Sequence, residues 1–264
     1  MGRKQVFCLS LVLLALVLLV SGCGGPEGEA YKAYQQAYGQ LFAEDSYSLE
    51  RSASLHLVDA AGEETDNSGE YAWEVAKIGD EYQTVGHGRL TDAYNFETNL
   101  FYAFFDGKFY QYNPINPGQN FSVKQEADFT RNTTLEGVLD LSAIDILEQR
   151  TEETAEGGLK LTFVLDKTSY GLEELGAVTA LLTEDPVYTA VLDPEGNFLE
   201  IEGGYGADIS GIGQQTSKYT IRFLQHGDLT LQLPDLSGIR FVSLDPEDDE
   251  DQPVVDAILE DIGR

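Results

Sequence analysis

Apolar and polar residues change places at every second position along most of this chain, so each extended segment can bury only one of its two sides. Tyr47, Leu49, Ala53, Leu55 and Leu57 alternate with Ser48, Glu50, Ser52, Ser54 and His56, and Tyr71, Trp73 and Val75 resume the pattern after a turn near Gly62. Gly79-Asp80 turns the chain into a strand around Tyr82 to Leu90, and another lies within residues 94–105. Asp106-Gly107 predicts a tight hairpin, because a type I′ turn needs positive φ at both central residues and this dipeptide accepts it. Pro114 and Pro117 end its second strand. Later strands are expected at Ile144 to Gln149 and along Leu159, Leu161, Phe163 and Leu165. Two more hairpins follow: Tyr188–Leu192 with Leu199 and Ile201, and Tyr219–Phe223 with Leu229, Leu231 and Leu233 across Gly227-Asp228.

The period changes to three and four in a few places. Tyr31, Tyr34, Tyr38, Leu41 and Phe42 form one stripe of a helix from Ala30 to about Glu44. Thr133 with Glu136 reads as a capping box opening a short helix through about Leu141. Leu172, Leu175, Thr179 and Leu182 share a face of another, stopped at Asp185-Pro186. Nine to eleven strands with three interposed helices predict an α+β fold: a large curved antiparallel sheet, with an N-terminal helix and interposed helices on its concave face. Residues 30–244 make that one domain. Residues 245–264 are an acidic run followed by a short amphipathic helix, with Pro253, Val254, Val255, Ile258, Leu259 and Ile262 as its apolar positions and Gly263 as its cap.

Charge limits the partners. The chain has 46 acidic and 16 basic residues, a formal net charge of −30, which repels phosphate backbones and excludes nucleic acid as a partner. Apolar content of 42% with 11% aromatic is nevertheless enough to fold. The expected state is a monomer.

The first twenty-three residues give an address. Arg3 and Lys4 precede fifteen apolar or small residues from Val6 to Val20, too short at ~1.5 Å per residue to cross a ~30 Å hydrocarbon core. The run ends Val20-Ser21-Gly22-Cys23 and resembles the bacterial lipoprotein signal at every position. That resemblance implies removal of residues 1–22, a diacylglyceryl thioether on Cys23, and a lipid-anchored protein at the outer face of the cell membrane. Residues 23–29 are then lipidated cysteine and linker. Two or three acyl chains hold where one binds reversibly, at ~0.8 kcal/mol per buried CH₂. Cys8 leaves with the signal, so the mature domain has no disulfide.

The sequence order of lipid signal, helix, antiparallel meander, aromatic hairpin Phe104-Phe105-Asp106-Gly107-Lys108-Phe109-Tyr110, interposed helix and closing Leu229-Thr230-Leu231-Gln232-Leu233-Pro234-Asp235-Leu236 resembles the LolA/LppX-like superfamily. More narrowly it is similar to Gram-positive lipoproteins of that half-barrel. The resemblance spans residues 30–244 and implies an unclosed antiparallel barrel with helices as a lid, and a carrier of acyl chains or glycolipids in the apolar space between. No functional residue of those carriers matches a position in this sequence.

Catalytic chemistry has little support. His56, His87 and His226 are far apart and unpaired at i, i+4, which speaks against zinc; no Gly-x-Ser-x-Gly elbow or P-loop occurs. Gly86-His87-Gly88 and Gly211-Ile212-Gly213 lack the third glycine of a dinucleotide loop and mark bulges or turns. No metal, cofactor or enzymatic activity is expected. The aromatic residues of the first half remain, and they are either core or, if helices stand off the sheet, a lining for an acyl chain. Tyr71, Trp73, Phe101, Phe104, Tyr110 and Phe163 are the expected ligand-binding set. The expected function is therefore a membrane-anchored, non-enzymatic lipoprotein that binds a lipid or acylated molecule; the alternative is an envelope protein-interaction or sensor module.

Overall fold

The computed structural model describes residues 28–113, 115, 116, 118, 120–125, 139–169 and 180–244. Within them lies one helix of more than a turn, α1 (Glu29–Ala43). The strands in chain order are β1 (Ser46–Asp59), β2 (Glu64–Ile78), β3 (Glu81–Thr91), β4 (Glu97–Phe105), β5 (Lys108–Tyr112), β6 (Phe121–Lys124), β7 (Ile146–Glu153), β8 (Leu159–Leu165), β9 (Ala180–Leu182), β10 (Val187–Leu192), β11 (Phe198–Ile209), β12 (Gly213–His226) and β13 (Val242–Ser243).

All thirteen strands belong to one sheet of order β13-β6-β5-β4-β3-β2-β1-β12-β11-β10-β8-β7, with β9 pairing β11 beside this path. Every pairing is antiparallel except β13 with β6. The sheet is open, with β13 and β7 at its edges. The count exceeds the sequence expectation through short strands at the margins, β6, β9 and β13, too brief to show a period.

Period two explains the burial. In the cross-strand registers of β1–β4 and β12, Leu49, Trp73, Gly86 and Tyr102 share one face with Ile221, while Glu50, Ala72, His87 and Phe101 share the other with Arg222. Helix α1 lies on the first of these faces, hereafter the inner face. Its buried Ala30, Tyr34, Ala37 and Leu41 meet Leu161, Phe163, Tyr188, Phe198, Ile201 and Ile221. Tyr34 is the hub, its ring edge-on to Phe163, Tyr188 and Phe198 at 5.6, 5.7 and 5.3 Å. Its hydroxyl donates to the Leu139 carbonyl at 2.6 Å and sits 2.7 Å from the Tyr188 hydroxyl, which is thus left as the donor to it. The helix start is held from the β7 edge: Gly28 offers no side-chain cap, and the Tyr31 amide donates instead to Gln149 Oε1 at 3.0 Å. A Cβ on Gly28 would collide with the Gln149 amide. At the other end His226 bridges the Phe198 carbonyl (2.7 Å) and the Glu44 carboxylate (3.0 Å).

Several expectations shift. Asp106 and Gly107 take φ of 53° and 66°, the predicted I′-like hairpin. Gly227 and Asp228 also take positive φ, 68° and 50°, yet Leu229–Leu233 is not a strand. Both edges of β12 are already paired, with β1 and β11, so a returning segment has no partner. It hydrogen-bonds to Ser46 through Gly227 and Leu229, then reaches β6, where Phe241 packs on Tyr110 at 5.2 Å. Ser46 and Tyr110 both face away from α1, so this strap crosses the outer face. β7 starts at Ile146 and runs on through Glu152 and Glu153, past the end expected at Gln149. Leu182, assigned to a helix from the sequence, stands in β9, and the positions at 172–179 lie outside the described residues. The capping box at Thr133, the tail from Asp245, and the signal with Cys23 also lie outside them. Leu199 and Ile201 do not share a face: a register shift at Val191/Leu192 pairs Leu192 with Phe198, leaving Leu199 exposed and Ile201 buried.

Tyr34→Ala is expected to cost about 3–5 kcal/mol, the usual penalty for emptying a buried aromatic site. Tyr34→Phe, which removes the donor to the Leu139 carbonyl and the hydroxyl that faces Tyr188, is expected to cost about 1–3 kcal/mol. Urea denaturation midpoints measure both.

Candidate functional site

Helix α1 makes most of its contacts with β7, β8 and β11, and its core cluster extends to Val75 of β2 and Tyr82 of β3, whose hydroxyl donates to the Glu44 carbonyl at the helix end; β4–β6 lie farther from it. On the β2–β6 half of the inner face, rings run across the strands instead of along them. Trp73 stacks on Tyr102 at 4.9 Å, Tyr102 on Phe109 at 6.0 Å, and Phe109 meets Phe121 at 6.3 Å. Trp73 belongs to β2 and Tyr102 to β4, and what lets them touch is the glycine of β3 between them. A Cβ on Gly86 would collide with the indole, and one on Gly88 would fall 2.9 Å from the Tyr71 ring. Gly86 and Gly88 therefore sit in regular ladder positions, with no register shift between β2 and β3. The expected bulge at Gly86-His87-Gly88 is replaced by a pair of troughs that receive rings. Gly211 and Gly213, by contrast, do sit at the β11–β12 turn with positive φ of 79° and 145°.

Beside this ladder lies a cavity of about 380 Å³ whose lining includes Ala53, Leu55, Gly69, Tyr71, Leu90 and Ser217. That volume is within the ~300–1,000 Å³ of small-ligand sites. Thr91 and Asp92 form part of its rim, and the turn that follows carries Tyr94 and Phe96, 81% and 71% exposed. Asp92 holds that turn by accepting the Tyr94 and Phe96 amides at 2.8 and 2.9 Å. Two large aromatics held out in water at a cavity mouth are a contact surface rather than core.

A second cavity, of about 560 Å³, opens on the outer face among Glu50, Glu70, His87, Arg89, Asn99 and Arg222, with Arg51 and Tyr71 of the intervening inward positions also in its lining. The two outward guanidinium groups are already matched, Arg89 with Glu70 and Arg222 with Glu200. Exposed pairs of this kind are worth ~0–1 kcal/mol and describe a solvated charged surface. Among the described residues no group of three or more His, Cys, Asp or Glu side chains is placed to hold a metal ion, and no helix is long and apolar enough to cross a membrane.

The six expected ligand-binding residues are divided by the sheet. Tyr71, Trp73, Phe104 and Phe163 face inward; Phe101 and Tyr110 face outward, stacked on Tyr112 and Phe105 respectively. Phe101 and Phe104 are three residues apart, an odd separation that places them on opposite sides of one strand. Of the inward four, Phe104 and Phe163 are fully buried in packing, and only Tyr71 and Trp73 adjoin the open part. The sequence reading missed Ala53, Leu55, Gly69 and Leu90, whose parity with Tyr71 along the registers was the available signal. Burial, with the neighbouring Tyr71 adding to it, pushes the Tyr102 hydroxyl up to about 12.

No family model matches the chain, and no curated protein matches it. Among solved structures it is similar to a DUF1329 family protein from Desulfovibrio piger, with 12% identity over 80% of this chain and 99% of that one, at a TM-score of 0.28. It is also similar to a domain described as an outer membrane lipoprotein-sorting protein from Vibrio parahaemolyticus, with 9% identity over 78% and 96% of the two chains and a TM-score of 0.25. A LolA superfamily protein from Nitrosomonas europaea gives 12% identity over 78% and 95%, again with a TM-score of 0.25. Superpositions this loose leave the site to be judged on its own geometry.

Two outcomes follow. Gly86→Ala should cost about 1–3 kcal/mol by overpacking against the indole, and should move the emission of Trp73, the single tryptophan, as the ring leaves Tyr102. At high pH the sign is set by burial: Tyr34 and Tyr102 are held above the ordinary value of 10.0, so the unfolded chain loses their protons first. Their stabilising contribution is complete below pH 10; that of Tyr102 falls as pH rises through about 12 and that of the more deeply buried Tyr34 higher still, which alkaline denaturation followed by circular dichroism will show.

Proposed function

We propose that this chain is a membrane-anchored extracytoplasmic lipoprotein, tethered through Cys23, that binds a lipid or acylated molecule on the inner face of its open sheet and performs no catalysis. One observation carries the reading: away from the main contacts of α1 the inner face holds a cross-strand aromatic ladder beside an apolar cavity of about 380 Å³. Apolar area of that kind is stable when something apolar lies on it, and methylene burial at ~0.8 kcal/mol per CH₂ supplies the attraction. The rim residues Tyr94 and Phe96 suit a mouth through which a greasy ligand passes. Residues 1–22 act as the signal, and the acidic outer face keeps the anchored domain soluble and clear of anionic surfaces.

The exposed Tyr94, Phe96 and Ile115, all on turns at one end of the sheet, favour a second reading in which that end meets a partner protein in the envelope.

The ligand reading is tested by recovering the lipidated protein from its host and identifying co-purifying lipid by mass spectrometry. A stoichiometric acyl species is expected, and it should be lost from a Leu90→Glu variant, which places a charge in the cavity wall. Empty protein whose Trp73 emission is unchanged by added acyl chains would overturn this reading; a Tyr94→Ser/Phe96→Ser variant that loses a co-purifying protein while keeping its lipid would support the second.

A further inference from the structure

Resting on the ligand reading, we infer that the inner face recognises a single-chain amphiphile with a monoanionic carboxylate head, and that Arg51 is the residue that holds the head. Arg51 interrupts the apolar side of β1: Tyr47, Leu49, Ala53, Leu55 and Leu57 point inward, and so does Arg51, cross-strand from Tyr71 on β2 and Ile221 on β12. Burying one guanidinium on an apolar face costs free energy unless something there needs it. In most such cases the compensation is a carboxylate, and none serves here. Arg51 makes no ion pair with the described residues, and its Nε is buried without a hydrogen-bond acceptor. Its one specific contact is with an aromatic face, the guanidinium carbon lying 5.8 Å from the Tyr219 ring centroid.

The absence of an acidic partner follows from the registers. Glu50 of β1, Glu70 and Glu74 of β2 and Glu97 of β4 all stand on the outer face. The outer-face arginines Arg89 and Arg222 are each paired with a glutamate, whereas the inner-face Arg51 is left with open donors in a chain whose formal charge is −30.

Position then gives the ligand. Arg51 is two residues from Ala53 and directly across from Tyr71, both in the wall of the 380 Å³ cavity, while Tyr219, on which it rests, is two residues from the cavity residue Ser217. A chain lying along Ala53, Leu55, Tyr71 and Leu90 therefore brings its head to the guanidinium, whose fork matches a carboxylate bidentately. One cation with no second beside it suits a monoanion; a phosphate monoester, with nearly two charges, would be left half neutralised in an acidic protein.

The test uses the full-length lipidated protein in neutral-lipid nanodiscs, with Trp73 emission and calorimetry as readouts and four probes: palmitate, methyl palmitate, hexadecyl phosphate and inorganic phosphate. Palmitate should bind about ten- to a hundredfold more tightly than its methyl ester, the range expected for a charge-assisted hydrogen-bonded pair. Arg51→Gln should remove that preference and leave methyl palmitate binding as it was, which also shows that the variant is folded; Arg51→Lys should keep part of it. Equal binding of palmitate and its ester, unaffected by Arg51→Gln, would overturn the head-group assignment while leaving the apolar site standing. No binding of either chain would overturn the ligand reading itself. Tighter binding of hexadecyl phosphate than palmitate, or saturable binding of inorganic phosphate lost in Arg51→Gln, would overturn the head-group assignment, the first pointing to a phospholipid head and the second to a free-anion site.

Discussion

A fifteen-residue helix has to serve a sheet too wide for it. At ~1.5 Å per residue α1 is roughly 22 Å long, while a path of twelve strands at ~4.8 Å spacing is roughly 53 Å across. The helix therefore commits to one half, and Tyr34 fixes which half by engaging Phe163, Tyr188 and Phe198 at once. The other half of the inner face must satisfy its apolar side by different means. It does so partly with its own rings, turned flat across β3 at Gly86 and Gly88 so that Trp73 shields backbone and reaches Tyr102. That sideways arrangement stacks ring on ring across the strands, and the apolar cavity beside it is the remainder.

An open sheet must also manage its two edges. At β7 the solution is charge and a tether: Glu148, Arg150, Glu152 and Glu153 are exposed along the strand, while Gln149 turns inward to hold the start of α1. At the other edge β13 pairs β6 in parallel, which an adjacent hairpin could not do; it requires the chain to travel from the end of β12 across the outer face. The strap thus binds the half-sheet away from the main contacts of α1, and Phe241 on Tyr110 and Tyr112 is its far fastening. Phe101 and Tyr110 belong to this outer construction, which explains why two aromatics expected at a ligand site are structural instead.

Strand identity was legible in the sequence wherever a period of two ran for more than four residues, and α1 was legible from its tyrosine stripe. What escaped was governed by partners distant in sequence. Leu229, Leu231 and Leu233 alternate as well as any strand, but whether an alternating segment joins a sheet depends on a vacant edge, and β12 has none. Leu199 alternates with Ile201 only until a one-residue register shift separates them. For the candidate site, aromatic content drew attention to the right stretch of chain, but strand parity decides which rings share a surface, and Phe101 with Phe104 could not have done so. The glycines of β3 were informative in a way that turn propensity did not suggest: two of them at i and i+2 in a strand leave one face without side chains, an opening for the neighbouring strands' rings.

The two faces differ most in how they treat arginine. Outside, Arg89 and Arg222 sit among glutamates, so their charge is neutralised locally and little of it is available to anything else. Inside, the same alternation that sends carboxylates outward deprives Arg51 of them, and a half-buried guanidinium over Tyr219 keeps its field in a region of low polarity. Coulombic attraction grows as the surrounding dielectric falls, so one unmatched charge on this side outweighs several matched ones on the other in selecting a ligand. The acidic excess of the chain strengthens the discrimination: anions approaching the outer surface are repelled, and the inner surface offers them a cation only beside an apolar wall. A small hydrophilic anion gains the ion pair but not the wall, and a neutral lipid gains the wall but leaves the guanidinium unmatched. Only a molecule carrying both features satisfies both demands.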